Sequence, residues 1–324
     1  MISKTYAGID ISKLTFDAAI YQPSGYQYHK FTNDEKGFRA LSELLPAGCH
    51  VVMEASGPYY LKLAGYLYEQ GFALSVVNPL VIRRFCQMRL SRTKTDRKDA
   101  MMIAEYGRAE QPAPWKPQER YVLHLRQMQA AVDLLNKSRT AFIRQLEAFD
   151  ACKEISLEAV SAAAKAKSAV EKQITVLEQK MEQLIEQHHK DMFQRLQTIP
   201  RIGKKSALLL IVLSGGFTRF ENSRQLSSYI GLCPRIFESG TSVKGKARIT
   251  KMGMSRIRAV LYVCSWAAKK YNKACSELYG RLVAKGKAKR QALIAVANKL
   301  LKQAFAIAVN GMDYQENYMK NTCF

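Results

Sequence analysis

The chain reads as an α/β domain over residues 1–118, a long antiparallel helical hairpin over 119–190 and a mainly α, strongly basic region over 191–324. Three observations predict this. Short apolar runs come first in tight succession and then alternate with helical patterns. Heptad spacing of apolar residues occupies the middle, and positive charge accumulates at the end. The 324 residues offer material for two or three domains, and 48% hydrophobic with 24% charged residues describes a soluble globular composition.

In the first region, A-G-I-D-I and F-D-A-A-I-Y are two β runs joined by S-K-L-T, with a third at Tyr26 to Phe31. Such short joins predict an antiparallel meander at one side of a sheet. A helical stretch (Lys36 to Leu45) precedes the strand H-V-V-M-E, which ends at Glu54, and A-S-G-P turns into a helix from Tyr59 to Gln70. Ala73 to Val77 is a further strand, closed by Asn78 and Pro79, and a basic helix spans Leu80 to Leu90. Strands that alternate with helices are expected to be parallel, and sites in open sheets form beyond the strand ends.

Acidic residues stand out against this background. Asp10 interrupts an apolar strand, where an unpartnered charge is costly. Glu54 sits at a strand end. K-T-D-R-K-D-A places Asp96 and Asp99 three residues apart at the mouth of a helix that starts at or just before Arg97. That spacing puts both carboxylates on one face with Cβ atoms roughly 5–6 Å apart. Such a pair can share a hard cation such as Mg²⁺, and Arg92, Lys94, Arg97 and Lys98 around it suit a phosphate. The same residues also suit a plain helix start, with Asp96 as N-cap and Asp99 complementing the dipole.

Pro112, Pro114 and Pro117 mark a stiff linker. Beyond it, Tyr121, Leu125, Met128, Val132, Leu135, Phe142, Leu146 and Phe149 follow alternating four and three spacing, with Arg139 filling the one missing step, and Val170, Ile174, Leu177, Met181 and Leu184 repeat the rhythm. Two such helices, joined near Asp150 to Ser156, form a coiled-coil hairpin able to pair within one chain or between subunits.

Residues 191–324 hold 24 basic against 6 acidic residues, most of the excess behind a net charge of +23. That imbalance points to a polyanion, and with no basic amphipathic helix bearing a bulky apolar face, nucleic acid fits better than a membrane. Leu196 to Ile211 sets Pro200, Ile202 and Gly203 between two helical patterns, followed by Lys204 and Lys205. This resembles a helix-hairpin-helix module, whose turn presents backbone N–H groups to phosphate; a structural αα-turn has the same pattern. Gly231 to Arg258 then reads as a Gly-, Ser- and Lys-rich loop entering a helix from Arg258 to Lys270. Within it Ser239 and Ser242 flank Gly240 and Thr241, ringed by Lys244, Lys246, Arg248, Lys251, Arg256 and Arg258. A hydroxyl so placed can attack a phosphodiester, and equally serves as a turn former.

Seven scattered cysteines without a C-x-x-C pair read as reduced thiols, and five histidines make no zinc constellation. The first residues lack a signal-peptide core, and the apolar run Ala207 to Leu213 is too short to cross a bilayer, so a cytoplasmic, nucleoid-associated protein is expected.

An Asp within the first strand, a Glu ending a later strand and D-x-x-D opening a helix resemble the RNase H fold of RuvC-like resolvases, in which four carboxylates hold two metal ions. Together with A-G-I-D-I-S, E-A-S-G, G-L-C-P, S-G, G-K-A-R-I-T-K-M-G and I-R-A-V-L-Y, the chain resembles, over nearly its whole length, the DEDD insertion-sequence transposases, bridge-RNA-guided recombinases related to the Piv DNA invertases. The resemblance implies that Asp10, Glu54, Asp96 and Asp99 bind Mg²⁺. It implies that Ser239 is the nucleophile forming a phosphoserine link to DNA, with Ser242 the alternative. It further implies a homo-oligomer, dimer or tetramer, in which the serine of one subunit completes the acidic site of another. A structured noncoding RNA would pair with donor and target duplex DNA. The competing readings are a junction-resolving nuclease with Ser239 structural, and a nucleic-acid binder without catalysis.

Overall fold

A computed structural model describes residues 5–90, 95–235, 238–239, 243–244, 248–250 and 252–316. The chain divides into two compact units, Met1–Gln118 and Glu119–Phe324.

The first unit opens with β1 (Tyr6–Ile11), β2 (Thr15–Gln22) and β3 (Gly25–Thr32), an antiparallel meander. Helix α1 (Glu35–Leu44) follows, started by the Asp34 carboxylate, which accepts from Gly37 N–H at 2.9 Å. Then come β4 (His50–Glu54), α2 (Tyr60–Glu69), β5 (Ala73–Val77) and α3 (Pro79–Met88), the last with Asn78 as cap and Pro79 in its first turn. The unit ends with α4 (Asp96–Glu110). The sheet order is β3-β2-β1-β4-β5, with β4 parallel to both β1 and β5, as the alternation of strand and helix predicts.

Alternation along the strands divides the sheet into two faces. Ala7, Ile9, Ile11, Phe16, Ala18, Ile20, Val51 and Met53 point to one side, where they pack with Phe38 and Leu41 of α1 and Leu63 and Leu67 of α2. Tyr6, Val52 and Val77 point to the other, against Ile82 of α3 and Ile103 of α4. Gly8 lies on this second face. A Cβ there would stand 2.2 Å from Ala100 O and from Ala104 N, so the backbones of β1 and α4 are in direct contact. One turn along the helix, a Cβ on Gly107 would meet Val52 Cγ2 at 2.6 Å and Tyr6 Cδ1 at 3.0 Å. The face Ala100, Ala104, Gly107 therefore lets α4 lie flat on the sheet, antiparallel to β1. Tyr26 Oη donates to Glu105 Oε2 at 2.9 Å and ties the middle of α4 to β3.

In the second unit α5 (Arg120–Asp150) and α6 (Leu157–Gln197) pack as an antiparallel pair. The ring of Tyr121, at the start of α5, stacks on His188 at 3.8 Å near the end of α6. The pair is not a separate body. Leu125, Val132, Ile174, Met181 and Ile185 share one core with the helices that follow. These are α7 (Lys204–Ser214), α8 (Ser223–Ile230), α9 (Ser255–Tyr271), α10 (Lys273–Ala284) and α11 (Lys289–Asn310). Among the described residues helix α11, not the run at Ala207, is long and apolar enough to cross a bilayer, but Val296, Leu300, Leu301 and Ala304 are buried in the core. The stretch read from sequence as one loop contains two antiparallel strand pairs: β6 (Pro234–Arg235) with β9 (Arg248–Ile249), and β7 (Glu238–Ser239) with β8 (Val243–Lys244).

Because the atoms facing Gly8 are backbone, they cannot rotate away. Gly8→Ala is expected to destabilise the N-terminal unit by about 1–3 kcal/mol, as overpacking does. Gly65→Ala, in the middle of α2 with nothing within 4 Å of the new Cβ, should instead stabilise by roughly 0.5–1 kcal/mol. Thermal unfolding of the two variants beside the parent checks the opposite signs.

Candidate active site

The register of the sheet brings the acidic residues together. Asp10 lies two residues beyond Gly8 on the same face of β1, hence toward the N-terminal turn of the antiparallel α4, which carries Asp96 and Asp99. The pairing Gly8↔Val52 and Ile9↔Met53, continued by one step, brings Glu54 level with Asp10. Four carboxylates from three separate stretches thus gather on one face of the sheet, at the C-terminal ends of its inner strands β1 and β4. Their effect on Asp10 is direct. Burial first, then the charges of Asp99, Glu54 and Asp96, raise its pKa from 3.8 to about 6.

The local structure around each acid has a sequence cause. Glu54 ends β4, and Ser56, two residues on in E-A-S-G, donates its hydroxyl to Glu54 Oε1 at 3.0 Å. Helix α4 begins at Asp96, as the spacing predicts, but its N-cap is Thr95, whose Oγ1 accepts from Lys98 N–H at 3.3 Å. Asp96 is thereby relieved of the capping role that the alternative reading gives it.

A fifth carboxylate, missed from sequence, completes the surroundings. Asp17 of β2 pairs directly opposite Asp10 and is 4% exposed. Like charges across a strand pair repel, and here the repulsion is offset locally: Tyr28 Oη donates to Asp17, and Lys30 Nζ lies 3.8 Å from its other oxygen. The Asp17 bond raises the Tyr28 pKa to about 12, and Arg97 sits 5.4 Å over the Tyr28 ring. The alternation of T-F-D-A-A-I, which puts Asp17 on the face opposite Phe16, was the available signal.

The donor set consists of oxygen ligands, the kind that Mg²⁺ takes. Among the described residues no three His, Cys, Asp or Glu side chains close around a common point, so the carboxylates are gathered but not drawn into a finished cage. Uncompensated repulsion at Asp10 and an open arrangement suit a cation that keeps water and phosphate among its ligands.

The remaining sequence candidates fall elsewhere. Ser239 lies on β7, paired opposite Val243 of β8. This hairpin hangs from a clasp at the ends of its segment. A Cβ on Gly231 (φ +81°) would meet Met252 O at 2.2 Å, one on Gly253 (φ +116°) would meet Tyr229 O at 2.0 Å, and Arg258 Nη1 donates to Ile230 O at 2.7 Å. Lys244 belongs to β8 and Arg248 to β9. Lys204 and Lys205, at the start of α7, pair with Glu182 and Glu178 of α6, and Arg256 pairs with Asp133 of α5. Arg92, Lys94, Ser242, Lys246 and Lys251 lie outside the described residues.

The Asp10 shift fixes the sign of a pH effect. Its folded pKa lies above the ordinary value, so the stability it contributes is present below about pH 4 and is lost as pH rises through about 6. Without divalent cations, Asp10→Asn should melt about 2–4 °C above the parent at pH 7.5, and the two should converge below about pH 4. Melting curves in chelator at both values measure this.

A DEDD transposase family model of IS110 type matches residues 7–149, and a model described as "Transposase IS116/IS110/IS902 family" matches residues 193–280. The pilin gene-inverting protein of Moraxella bovis is 34% identical, the match covering 94% of this chain and 96% of that protein. The transposase for insertion sequence element IS1111A of Coxiella burnetii is 26% identical over 90% of this chain and 86% of its own length. A protein acting on DNA accounts for the basic C-terminal unit, and the chain belongs to the IS110 family of insertion-sequence transposases and DNA-inverting recombinases.

Proposed function

We propose that this transposase cuts and rejoins DNA strands through Ser239, with Asp10, Glu54, Asp96 and Asp99 holding Mg²⁺ at the phosphodiester. The observation that carries the reading is the convergence of those four carboxylates; burial first, and then the charges of the other three, raise the Asp10 pKa to about 6. The strand order β3-β2-β1-β4-β5, with acids on β1, at the end of β4 and at the start of α4, supports an RNase H fold of the RuvC-like kind.

In this scheme Ser239 Oγ gives up its proton and attacks the scissile phosphorus, an Oγ–P bond forms as the P–O bond to the leaving strand breaks, and the departing oxygen takes up a proton in exchange. The exposed hydroxyl of an incoming strand then attacks the phosphoserine and releases the serine, so the bond energy is retained and strands exchange without ATP. Bound Mg²⁺ would stabilise the charge developing on the attacking and leaving oxygens. The carboxylates would hold that cation, and Ser56 donates to Glu54 and so orients it. Above about pH 6 Asp10 is ionised and ready to bind; below it, proton and cation compete.

We further propose that a structured guide RNA selects the sites, since a strongly basic region with no recognisable base-reading motif contacts backbones while base pairing reads sequence. The long α5–α6 pair supports assembly into an oligomer through a coiled coil.

Incubation with cognate DNA and RNA followed by a denaturing gel tests the chemistry. A protein–DNA adduct is expected, absent in Ser239→Ala. Free cut ends that persist in Ser239→Ala would instead make the protein a metal-dependent nuclease. Asp99→Asn should lower cleavage by at least about a hundredfold while nucleic-acid binding is kept; normal recombination by that variant would overturn the metal assignment.

A further inference from the structure

A second feature of the C-terminal unit lies outside the acidic site. The outer face of α9 carries Tyr262, Val263 and Trp266, and Trp266 is 54% exposed. The rings of Tyr262 and Trp266 meet edge-on with centroids 6.4 Å apart, and Lys269 Nζ stands 4.9 Å over Trp266 and 5.1 Å over Tyr279 of α10. Beside Tyr262 opens a cavity of about 780 Å³, bounded by β6, β9, α9 and α11. Arg248, Arg258 and Arg290 line it, and Gln291 and Asn298 bring amide groups to its wall. None of its lining residues is acidic, and α9 and α11 contain no Asp or Glu.

Trp266 and Val263, 54% and 69% exposed, adjoin Tyr262 in one apolar patch, and a contiguous exposed patch of this kind marks a binding surface. Its company identifies the partner. Cations beside aromatic rings and a cavity with three guanidinium groups suit an anion that carries flat rings, and an unpaired nucleic-acid strand is such a ligand. Duplex bases are stacked on each other and offer no free ring face, so the aromatic residues would contribute nothing to a duplex. A volume of this size falls in the range of small-ligand pockets and accommodates one nucleotide.

We propose that α9 carries a track for an unpaired stretch of DNA or RNA. Trp266 and Tyr262 serve as stacking platforms, the cavity beside Tyr262 receives one unstacked base, and Arg248, Arg258 and Arg290 meet the adjoining phosphates. The inference rests on the chain acting on nucleic acid and is independent of the serine and metal chemistry.

The test uses the full chain with Ser239→Ala, so that cleavage cannot alter the ligand. Fluorescence anisotropy compares short single-stranded DNA, single-stranded RNA and duplex DNA at one fixed salt concentration. Trp266→Ala and Tyr262→Ala should each weaken single-strand binding about 5- to 100-fold and leave duplex binding within about twofold. Trp266→Phe should restore most of the loss, because stacking needs only a ring, and Ala295→Trp, which fills the cavity, should also weaken single strands. The more sensitive of the DNA and RNA arms identifies the strand. Equal losses on duplex and single strands, or no loss in either alanine variant with melting temperatures unchanged, would overturn the proposal.

Discussion

The close approach of α4 to β1 at Gly8 is the constraint on which the acidic site depends. Backbone touches backbone there, with room for a hydrogen and not for a methyl group. This contact sets both the height of the helix over the sheet and its position along the strand. Since Asp10 lies two residues beyond Gly8 while Asp99 precedes Ala100, the same contact sets how near those carboxylates come. A larger residue at position 8 would lift the helix and separate the acids without changing any of them. Gly107, over Val52 and Tyr6, keeps the far end of the helix equally low.

Folding against this repulsion has a cost that the surrounding structure carries. The sheet face opposite the acids is packed with Ile9, Phe16, Val51, Met53 and their helix partners, all at most 1% exposed apart from the Phe38 contact. Burial of that kind stabilises at about 25 cal/mol per Å² and is insensitive to charge, so it can hold carboxylates together that would otherwise move apart. Asp17 shows the alternative solution a few ångströms away, where Tyr28 and Lys30 offset its charge with side chains of the chain itself. Asp10 has no such compensation: burial and the charges of Asp99, Glu54, Asp96 and Asp17 all raise its pKa.

The two units divide the work by charge. The N-terminal unit concentrates negative groups at the C-terminal ends of β1 and β4. The C-terminal unit carries most of the excess positive charge. Several of those cations, Lys204, Lys205 and Arg256 among them, turn back onto acidic residues of the α5–α6 pair, whereas Arg248 and Arg290 remain exposed at the cavity beside α9. Counting basic residues therefore overstates some parts of a nucleic-acid surface and overlooks the aromatic residues set among them.

The strand runs, the switch from antiparallel to parallel pairing and the start of α4 were legible in the sequence because they follow from period-two and helical patterning, short joins and capping chemistry, all of which act over a few residues. The acidic set was legible too, as residue types that are costly in their settings. Register was not. That Asp17 stands opposite Asp10, that Gly8 seats a helix, that Ser239 lies on a paired strand and that Tyr262 borders a cavity depend on contacts between distant segments. The amino-acid order by itself determined the elements and the chemistry they carry; only the tertiary structure decided which groups meet, because packing, not local propensity, sets the distances on which electrostatics and binding depend.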